Sequence, residues 1–266
     1  GGTGMVGSAL KFYRPEWIYI GSKDCDLRNY EKTKELFEKI KPTHVIHLAA
    51  RVGGLFKNLR EPVDMFQDNM NININVLKCS KENNVKQVLS ILSTCIFPDD
   101  IEYPLTEEKL HLGPPHYSNE GYAYAKRMLE CLSRYYSCGY TCVTPVNMYG
   151  PNDNYNLKTS HFIPALIRKA HELKKNKNKT LYLWGSGKVR REAIYVDDIA
   201  DACIHFMNKK TKKSLINIGS GKDYTILQFA KKILNIVGVK AHIKLDRTKP
   251  DGTPKKLLDI TEAKKY

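Results

Sequence analysis

The sequence lacks a long apolar run, a paired-cysteine motif and a surface pattern rich in arginine. No apolar stretch approaches the roughly 18 residues that a membrane-spanning helix needs, so we expect no membrane partner. The seven cysteines are an odd number and form no C-x-x-C pair, which argues against a disulfide framework and against a metal site. Such cysteine usage is typical of a reducing compartment, and we expect a cytoplasmic protein.

The chain is strongly basic, with a net charge of +15 over 266 residues. Most of its 43 basic residues are lysines spread along the whole sequence. They lack the aromatic platform or arginine stripe that reads nucleic-acid bases, so we expect no nucleic-acid partner. A lysine-biased, solvated surface accounts for the charge, which is also compatible with a general preference for anionic ligands.

Strand-like apolar segments alternate with amphipathic helical segments through the first half of the chain. The strand-like segments are 17–20, 44–48, 88–92 and 141–145, and the helical ones are 30–40, 62–83 and 121–136. This alternation predicts an α/β fold, a Rossmann-type doubly wound parallel sheet with helices on both faces. The pattern becomes less regular after residue 150. We therefore predict a nucleotide-binding domain over 1–150 and a smaller subdomain over 151–266, some segments of which return to the first domain.

A glycine-rich loop opens the sequence with the spacing G-x-x-G-x-x-G. Glycines let the backbone approach a pyrophosphate at the N-terminus of the following helix, although a plain turn has the same composition. The predicted dinucleotide contacts in this loop are Gly1, Gly4, Met5, Val6 and Gly7. Because such a loop normally follows a first strand, we expect the sequence to be a fragment that lacks this strand.

Three further segments lie where a dinucleotide would pass. An NAD site usually has an acidic residue after the second strand, whereas Ser22 and Lys23 here suit a ribose 2′-phosphate and favour NADPH. Lys23 is equally compatible with an exposed loop. Asp26 and Leu27 resemble an adenine-edge position, with capping of the next helix as the alternative interpretation of Asp26. Small side chains at a strand end add two candidate contacts, Ala49 and Ala50.

The most specific local signal is a Tyr-x-x-x-Lys motif within a predicted helix. Residues four apart share a helix face, so Tyr122 and Lys126 can converge on one ligand. A neighbouring ammonium group and a cationic nicotinamide would lower the phenol pKa and make Tyr122 an acid–base group. A Ser-Thr-Cys strand end at 93–95 lies about thirty residues earlier and strengthens this interpretation.

Together these residues resemble the extended short-chain dehydrogenase/reductase superfamily, and further motifs resemble its GDP-L-fucose synthase family. The resemblance covers nearly the whole chain, and the family continues for another helical segment beyond residue 266. The motifs are A-A-R-V-G-G at 49–54, S-T-C-I-F-P at 93–98, S-H-F-I-P at 160–164, W-G-S-G at 184–187 and P-D-G-T-P at 250–254.

The resemblance implies a role for each residue that matches a family motif. Ser93, Tyr122 and Lys126 match the reductase triad, and Cys95 and His161 match the pair that moves protons during epimerisation. Further implied cofactor contacts are Pro145, Asn147, Met148, Lys126 and His161. Implied substrate contacts are Lys169, which is often arginine in the family, together with Trp184, Arg191 and Asp251.

The function implied by this resemblance is conversion of GDP-4-keto-6-deoxy-D-mannose to GDP-L-fucose. The reaction would be a 3,5-epimerisation followed by NADPH-dependent reduction of the 4-keto group, carried out by a homodimer. Which of Cys95 and His161 acts as base stays open. Alternatives are another nucleotide-sugar epimerase or dehydratase of the same superfamily, or a non-catalytic protein that binds the cofactor.

Overall fold

The computed structural model describes residues 1–136, 139–175, 179–209, 211, 213–249 and 251–266, and of residues 55 and 56 it describes the backbone alone. Pro250, the first residue of the P-D-G-T-P motif, lies outside the described residues. Among the described residues, no helix combines the length and the apolar character that crossing a membrane requires.

The described helices and strands are interleaved along the chain, and some helices and some strands follow one another directly. The helices are α1 (Met5–Tyr13), α2 (Tyr30–Ile40), α3 (Leu55–Arg60), α4 (Pro62–Glu82), α5 (Glu120–Tyr136), α6 (Phe162–Lys175), α7 (Val196–Asn208) and α8 (Ile226–Val237). The strands are β1 (His44–His47), β2 (Gln87–Ile91), β3 (Tyr140–Pro145), β4 (Asn147–Tyr149), β5 (Thr180–Trp184), β6 (Arg190–Tyr195), β7 (Leu215–Ile218), β8 (Asp223–Thr225) and β9 (His242–Asp246).

A parallel sheet in the order β1-β2-β3-β7 forms the centre of the fold. Its register places Ile46 beside Leu89, and Ser90 beside Cys142. Strands β2 and β3 are buried along their whole length, as expected for strands covered by helices on both faces. The parallel α/β sheet predicted from the alternating pattern is thereby confirmed.

Smaller strand pairs complete the second half of the chain. β4 pairs with β6 in parallel, β6 pairs with β8 in antiparallel orientation, and β5 pairs with β9 in parallel. Pairing of β4 with β6 brings the segment after β3 alongside residues 193–195.

Local sequence signals account for the ends of the long helices. Asn29 caps α2 by accepting a hydrogen bond from the Lys32 amide at 3.0 Å, and Pro62 occupies the first turn of α4. The alternative interpretation of Asp26 as the cap of α2 is wrong. Its carboxylate instead binds Arg28, with both oxygens 2.9 Å from guanidinium nitrogens.

The prediction of a strand at residues 17–20 is wrong. The segment is extended, and Ile20 accepts a hydrogen bond from the Gly2 amide at 2.8 Å, but no strand ladder forms. A strand needs a hydrogen-bonded neighbour at about 4.8 Å, and within the described part of the chain no strand pairs with residues 17–20.

Two hydrophobic clusters organise the interior. The first lies around the central sheet and includes residues of α1, α4, α5 and α7 and the C-terminal Leu258. The second joins α6, β5 and α8 through residues such as Leu166, Leu183 and Leu234. The domain division at residue 150 stays a proposal. The second cluster supports it, and the place of α7 and β7 in the first cluster supports the return of later segments.

One apolar residue of α4 belongs to the core. The sequence pattern of Phe66, Met70 and Leu77 is compatible with a dimer face, although a stripe that faces the core has the same pattern. Leu77 has no exposed surface and packs in the first hydrophobic cluster, so it is unavailable to a partner. Phe66 is 38% exposed.

A buried histidine predicts how stability changes with acidity. His47 is hydrogen-bonded to the Asn73 side chain at 3.0 Å, and burial lowers the pKa of His47 to about 3 from 6.5. Between these values the unfolded chain binds a proton that the folded chain excludes. We therefore expect the free energy of unfolding to fall as the pH drops below about 6.5, by up to roughly 1.4 kcal/mol per pH unit.

Urea unfolding at several pH values measures this slope. His47→Gln removes the titrating group and is expected to flatten the curve, whereas the exposed His242→Gln leaves it unchanged. Parallel curves for His47→Gln and the unsubstituted protein would contradict the assignment.

Candidate active site

A short turn at the carboxyl end of β2 carries two of the predicted catalytic residues. Ser93 is extended, with φ −158° and ψ 149°, and precedes the 3-10 turn Thr94–Ile96, which contains Cys95. The buried Arg127 of α5 donates hydrogen bonds to the carbonyl oxygens of Ile96 and, at 2.7 Å, Gly113. A guanidinium group that binds two loop carbonyls fixes the turn and the position of its thiol.

The lysine of the Tyr-x-x-x-Lys motif joins α5 to the same strand end. Lys126 is only 2% exposed, and its Nζ donates a hydrogen bond to the Ile91 carbonyl oxygen at 2.9 Å. Burial lowers the pKa of Lys126 to about 8. Tyr122 lies one helical turn earlier on the same face, so both side chains are directed towards the end of β2.

Burial acts on the phenol of Tyr122 against the lowering of the pKa that the sequence argument expects from an ammonium group and a nicotinamide cation together. Burial raises the pKa of Tyr122 strongly, and the neighbouring Cys95 raises it further. The physical reason is that burial removes the water that would stabilise a phenolate. The protein side chains alone thus hold Tyr122 in its protonated form, ready to donate.

His161 lies immediately before α6 and keeps an exposed surface within the cleft. Desolvation by the surrounding protein lowers the pKa of His161. The charge of Asp153 opposes this effect, whereas the charge of Lys256 adds to it. Lys256 is also close to Cys95, because both line a cavity of about 10 Å³. Burial lowers the pKa of Lys256, and Cys95 raises it. One ammonium group is therefore within electrostatic reach of both the thiol and the imidazole.

Sequence reasoning missed two of these charged groups, Asp153 and Lys256. Asp153 lies three residues after the glycine of a Gly-Pro turn, and burial raises the pKa of its carboxyl group. Lys256 follows the P-D-G-T-P motif by two residues. A pair of adjacent lysines in such a segment predicts two solvent-exposed side chains. The backbone of Lys256 forms hydrogen bonds with the backbone of Arg190 and Glu192 in β6. This pairing, which the sequence does not indicate, positions Lys256 near Cys95.

The glycine loop has the geometry of an anion cradle. A Cβ at Gly1 would lie 2.6 Å from the Ala49 nitrogen, and one at Gly7 would lie 2.4 Å from the Gly2 oxygen. Gly4 begins α1 with no side-chain cap, so the amides at the start of this helix have no side-chain acceptor. The close packing and the uncapped helix N-terminus fit a pyrophosphate. Met5 and Val6 form the first helical residues beside it.

The residues predicted to recognise the adenosine end lie in the turn after residue 20. Ser22 and Lys23 are both exposed. Leu27 packs against the core beside Asp26, whose pKa is lowered to about 2 by its hydrogen bonds with Arg28. The structure thus presents an exposed hydroxyl group and an exposed cation in this turn.

The remaining predicted cofactor contacts line the edge of the central sheet. Ala49 and Ala50 follow β1 and are half-buried. Pro145 ends β3, and Asn147 and Met148 belong to β4. The Asn147 side chain donates a hydrogen bond to the Glu192 carbonyl oxygen at 2.8 Å. All of them lie at the carboxyl ends of parallel strands, where ligands of this fold class bind.

The four predicted substrate contacts form two groups in the second half of the chain. Lys169 of α6 lies 6.0 Å from the ring of Trp184, which is 49% exposed. Arg191 donates a hydrogen bond to the Thr253 carbonyl oxygen at 2.7 Å, and burial lowers its pKa to about 10. Asp251 accepts a hydrogen bond from the Ser186 amide at 2.7 Å. An accessible ring with a cation beside it suits a nucleotide base.

Comparison with known proteins places the chain among sugar-nucleotide enzymes. Residues 1–219 match the model of the NAD dependent epimerase/dehydratase family. GDP-L-fucose synthase from Dictyostelium discoideum is 46% identical over 96% of this chain and 84% of its own length. GDP-L-fucose synthase from Escherichia coli is 36% identical over 98% and 87%. A crystal structure of a GDP-L-fucose synthetase from Naegleria fowleri bound to NADP has a TM-score of 0.90 at 38% identity, covering 100% of this chain and 85% of that one.

Proposed function

The chain belongs to the NAD dependent epimerase/dehydratase family and, within it, to the GDP-L-fucose synthases, and from this premise we propose that it converts GDP-4-keto-6-deoxy-D-mannose to GDP-L-fucose with NADPH. One observation carries the proposal. Lys256 is within electrostatic reach of both Cys95 and His161, and Cys95 is within electrostatic reach of Tyr122 and Lys126. A redox-neutral 4-epimerase needs no such thiol–imidazole pair, whereas inversion at two carbons before reduction does.

NADP(H) fits the residues of the first half of the chain. The glycine loop and the N-terminus of α1 would hold the pyrophosphate, and Ser22 and Lys23 would bind the 2′-phosphate. Ala49, Ala50, Pro145, Asn147 and Met148 would line the path of the dinucleotide. When bound, NADPH supplies the hydride for carbon 4 of the sugar.

Epimerisation uses the acidity of the hydrogens beside the 4-keto group. Cys95, as thiolate, takes the proton from C3 or C5, and the resulting enolate oxygen accepts hydrogen bonds from Ser93 and Tyr122. His161, as imidazolium, returns a proton to the opposite face and inverts the carbon. The thiol and the neutral imidazole then exchange a proton with solvent before the second inversion. Lys256 supplies a positive charge near Cys95, and the charge of Asp153 opposes the lowering of the His161 pKa by desolvation.

Reduction of the 4-keto group requires a proton at its oxygen. Tyr122 is held protonated by burial and donates to that oxygen as negative charge develops. Lys126 is fixed by the Ile91 carbonyl and stabilises the phenolate that is left, besides binding the nicotinamide ribose. Ser93 keeps the carbonyl oxygen oriented.

The nucleotide part of the substrate matches the second half of the chain. Trp184 offers an exposed ring on which guanine can stack, and Lys169 lies beside it. Burial lowers the pKa of Arg191 because it removes water from the charged guanidinium group. A diphosphate bound to this group would offset that loss of hydration. Asp251 positions the turn at 185–187 through the Ser186 amide.

We propose a cytoplasmic homodimer. Exposed apolar side chains follow the outer faces of α4 and α5, namely Val63, Phe66, Ile74, Met128 and Tyr135. Such a band on two neighbouring helices suits a second copy of the same surface. The six cysteines among the described residues are free thiols, which supports a reducing compartment.

The test is the absorbance of NADPH after addition of GDP-4-keto-6-deoxymannose, with NMR identification of the product. Stoichiometric oxidation that yields GDP-L-fucose is the expected result. Conversion of the sugar without oxidation would indicate a redox-neutral epimerase, and binding without turnover would indicate a non-catalytic protein. Either of these outcomes overturns the proposal.

A further inference from the structure

A second cluster of reactive side chains lies on the C-terminal half of α5, away from the Tyr122 end of that helix. His111 ends the 3-10 turn Glu107–His111, and Glu130 and Cys131 are neighbours in α5. His111 Nε2 is 3.2 Å from Glu130 Oε2 and 3.9 Å from Cys131 Sγ. The three ligand atoms all lie within 4.8 Å of one another. They thus offer a nitrogen, an oxygen and a sulfur around one point.

These separations are close to the edges of a tetrahedral zinc site. Zinc bond lengths of about 2.1 Å to nitrogen and oxygen and about 2.3 Å to sulfur give edges of roughly 3.4 Å and 3.6 Å. The His111–Glu130 and His111–Cys131 separations need changes of only a few tenths of an ångström. Rotation of the Cys131 side chain can shorten the remaining edge. The exposed side of His111 leaves room for water as a fourth ligand.

Outer contacts already orient the carboxylate. Glu130 is buried, and its Oε1 accepts hydrogen bonds from Arg134 Nε at 3.2 Å and from Ser214 Oγ at 3.1 Å. Its Oε2 is thereby left to face His111. Partners that hold the distal oxygen of a ligand carboxylate are a regular part of metal sites. Arg134 also donates to Cys131 Sγ at 3.6 Å, a contact that a metal-bound thiolate can keep.

The charges of the cluster match a divalent cation. Glu130 and a deprotonated Cys131 together supply two negative charges, and neutral His111 adds a ligand without charge. Histidine, carboxylate and thiolate together select zinc over magnesium or calcium, which prefer oxygen.

We propose that His111, Glu130 and Cys131 bind a thiophilic divalent cation of the zinc class, with water completing a tetrahedron. Residues 111 and 130 are 19 positions apart, so no local ligand spacing marks the site in the sequence. The bound ion would tie the turn Glu107–His111 to α5. This site is independent of the proposed function, because none of its ligands takes part in the cofactor or sugar chemistry.

The test titrates the purified protein with Co²⁺ and, in competition with a chromophoric chelator, with Zn²⁺. A Cys95→Ser background is used because the cleft holds an accessible thiol and imidazole of its own. We expect a tetrahedral Co²⁺ spectrum with a thiolate-to-metal charge-transfer band, and a melting temperature that rises with Zn²⁺. A Co²⁺ spectrum without the sulfur band would overturn the proposal.

Single substitutions locate the ion. His111→Gln and Cys131→Ser are expected to weaken Zn²⁺ binding by more than roughly 100-fold, and Ser214→Ala by about 10-fold through the outer contact. The matched controls His242→Gln and Cys25→Ser should bind as the background does. Glu130 is left intact because it is buried, and circular dichroism checks that each variant is folded. Unchanged affinity in both His111→Gln and Cys131→Ser would place the ion elsewhere and overturn the proposal.

Discussion

Tyr122→Phe is expected to lower kcat for NADPH-dependent reduction by a factor of roughly 10²–10⁴, with little change in the KM for the nucleotide sugar. The phenol is the only group on the α5 face that burial holds protonated beside the end of β2, among the residues that the structure describes. Phenylalanine keeps the packing and removes the proton, so the loss should fall on the chemical step. Stopped-flow NADPH absorbance in a single turnover measures that step directly.

Tyr124→Phe is the matched control for this experiment. Tyr124 lies two residues further along α5, and its ring lies 5.5 Å from the Arg127 guanidinium rather than at the strand end. It should reduce the sugar at the unsubstituted rate. A Tyr122→Phe enzyme within a factor of about ten of the parent would show that another acid protonates the 4-oxygen.

Cys95→Ser is expected to abolish epimerisation while sparing reduction. A serine hydroxyl is far less acidic than a thiol, so exchange of the C3 and C5 hydrogens should slow by roughly 10²–10⁴. Proton NMR in D₂O without NADPH follows that exchange. A ketone that has already been epimerised should still be reduced at close to the parent rate, because Tyr122 and Lys126 are unchanged.

Cys203→Ser provides the comparison for a thiol substitution elsewhere. Cys203 is buried in α7, and burial raises its pKa to about 12, so it holds a proton under assay conditions. This variant should exchange and reduce normally. Equal loss of exchange and reduction in Cys95→Ser would mean that Cys95 supports the whole site rather than the proton transfer.

The elements that the sequence predicts well are those whose signals are local. The amphipathic pattern of α2 and the apolar run of β2 depend on neighbours a few residues away, and both form within one residue of the predicted bounds. The predicted strand at 17–20 failed because a strand is defined by its partner. No window of sequence reports whether a partner lies within hydrogen-bonding distance.

The same distinction separates the parts of the site. The Tyr122–Lys126 spacing is a property of one helix, so the motif places both side chains on one face. The pKa of Tyr122 depends on everything that surrounds the phenol, and burial raises it against the lowering expected from Lys126 and a nicotinamide cation. Lys256 reaches Cys95 only through its backbone pairing with β6, a contact between residues more than sixty positions apart.

The late position of Lys256 also sets an order in which the cleft can be assembled while the chain is being made. Synthesis delivers the N-terminal segments first, so Ser93, Tyr122 and Lys126 can dock on β2 as soon as α5 has emerged. The ammonium group beside Cys95 arrives only when residue 256 has paired with β6. In the proposed mechanism, the residues assigned to reduction therefore emerge from the ribosome before the lysine that lies beside Cys95. Until that release, the nascent chain carries a thiol that lacks its neighbouring cation.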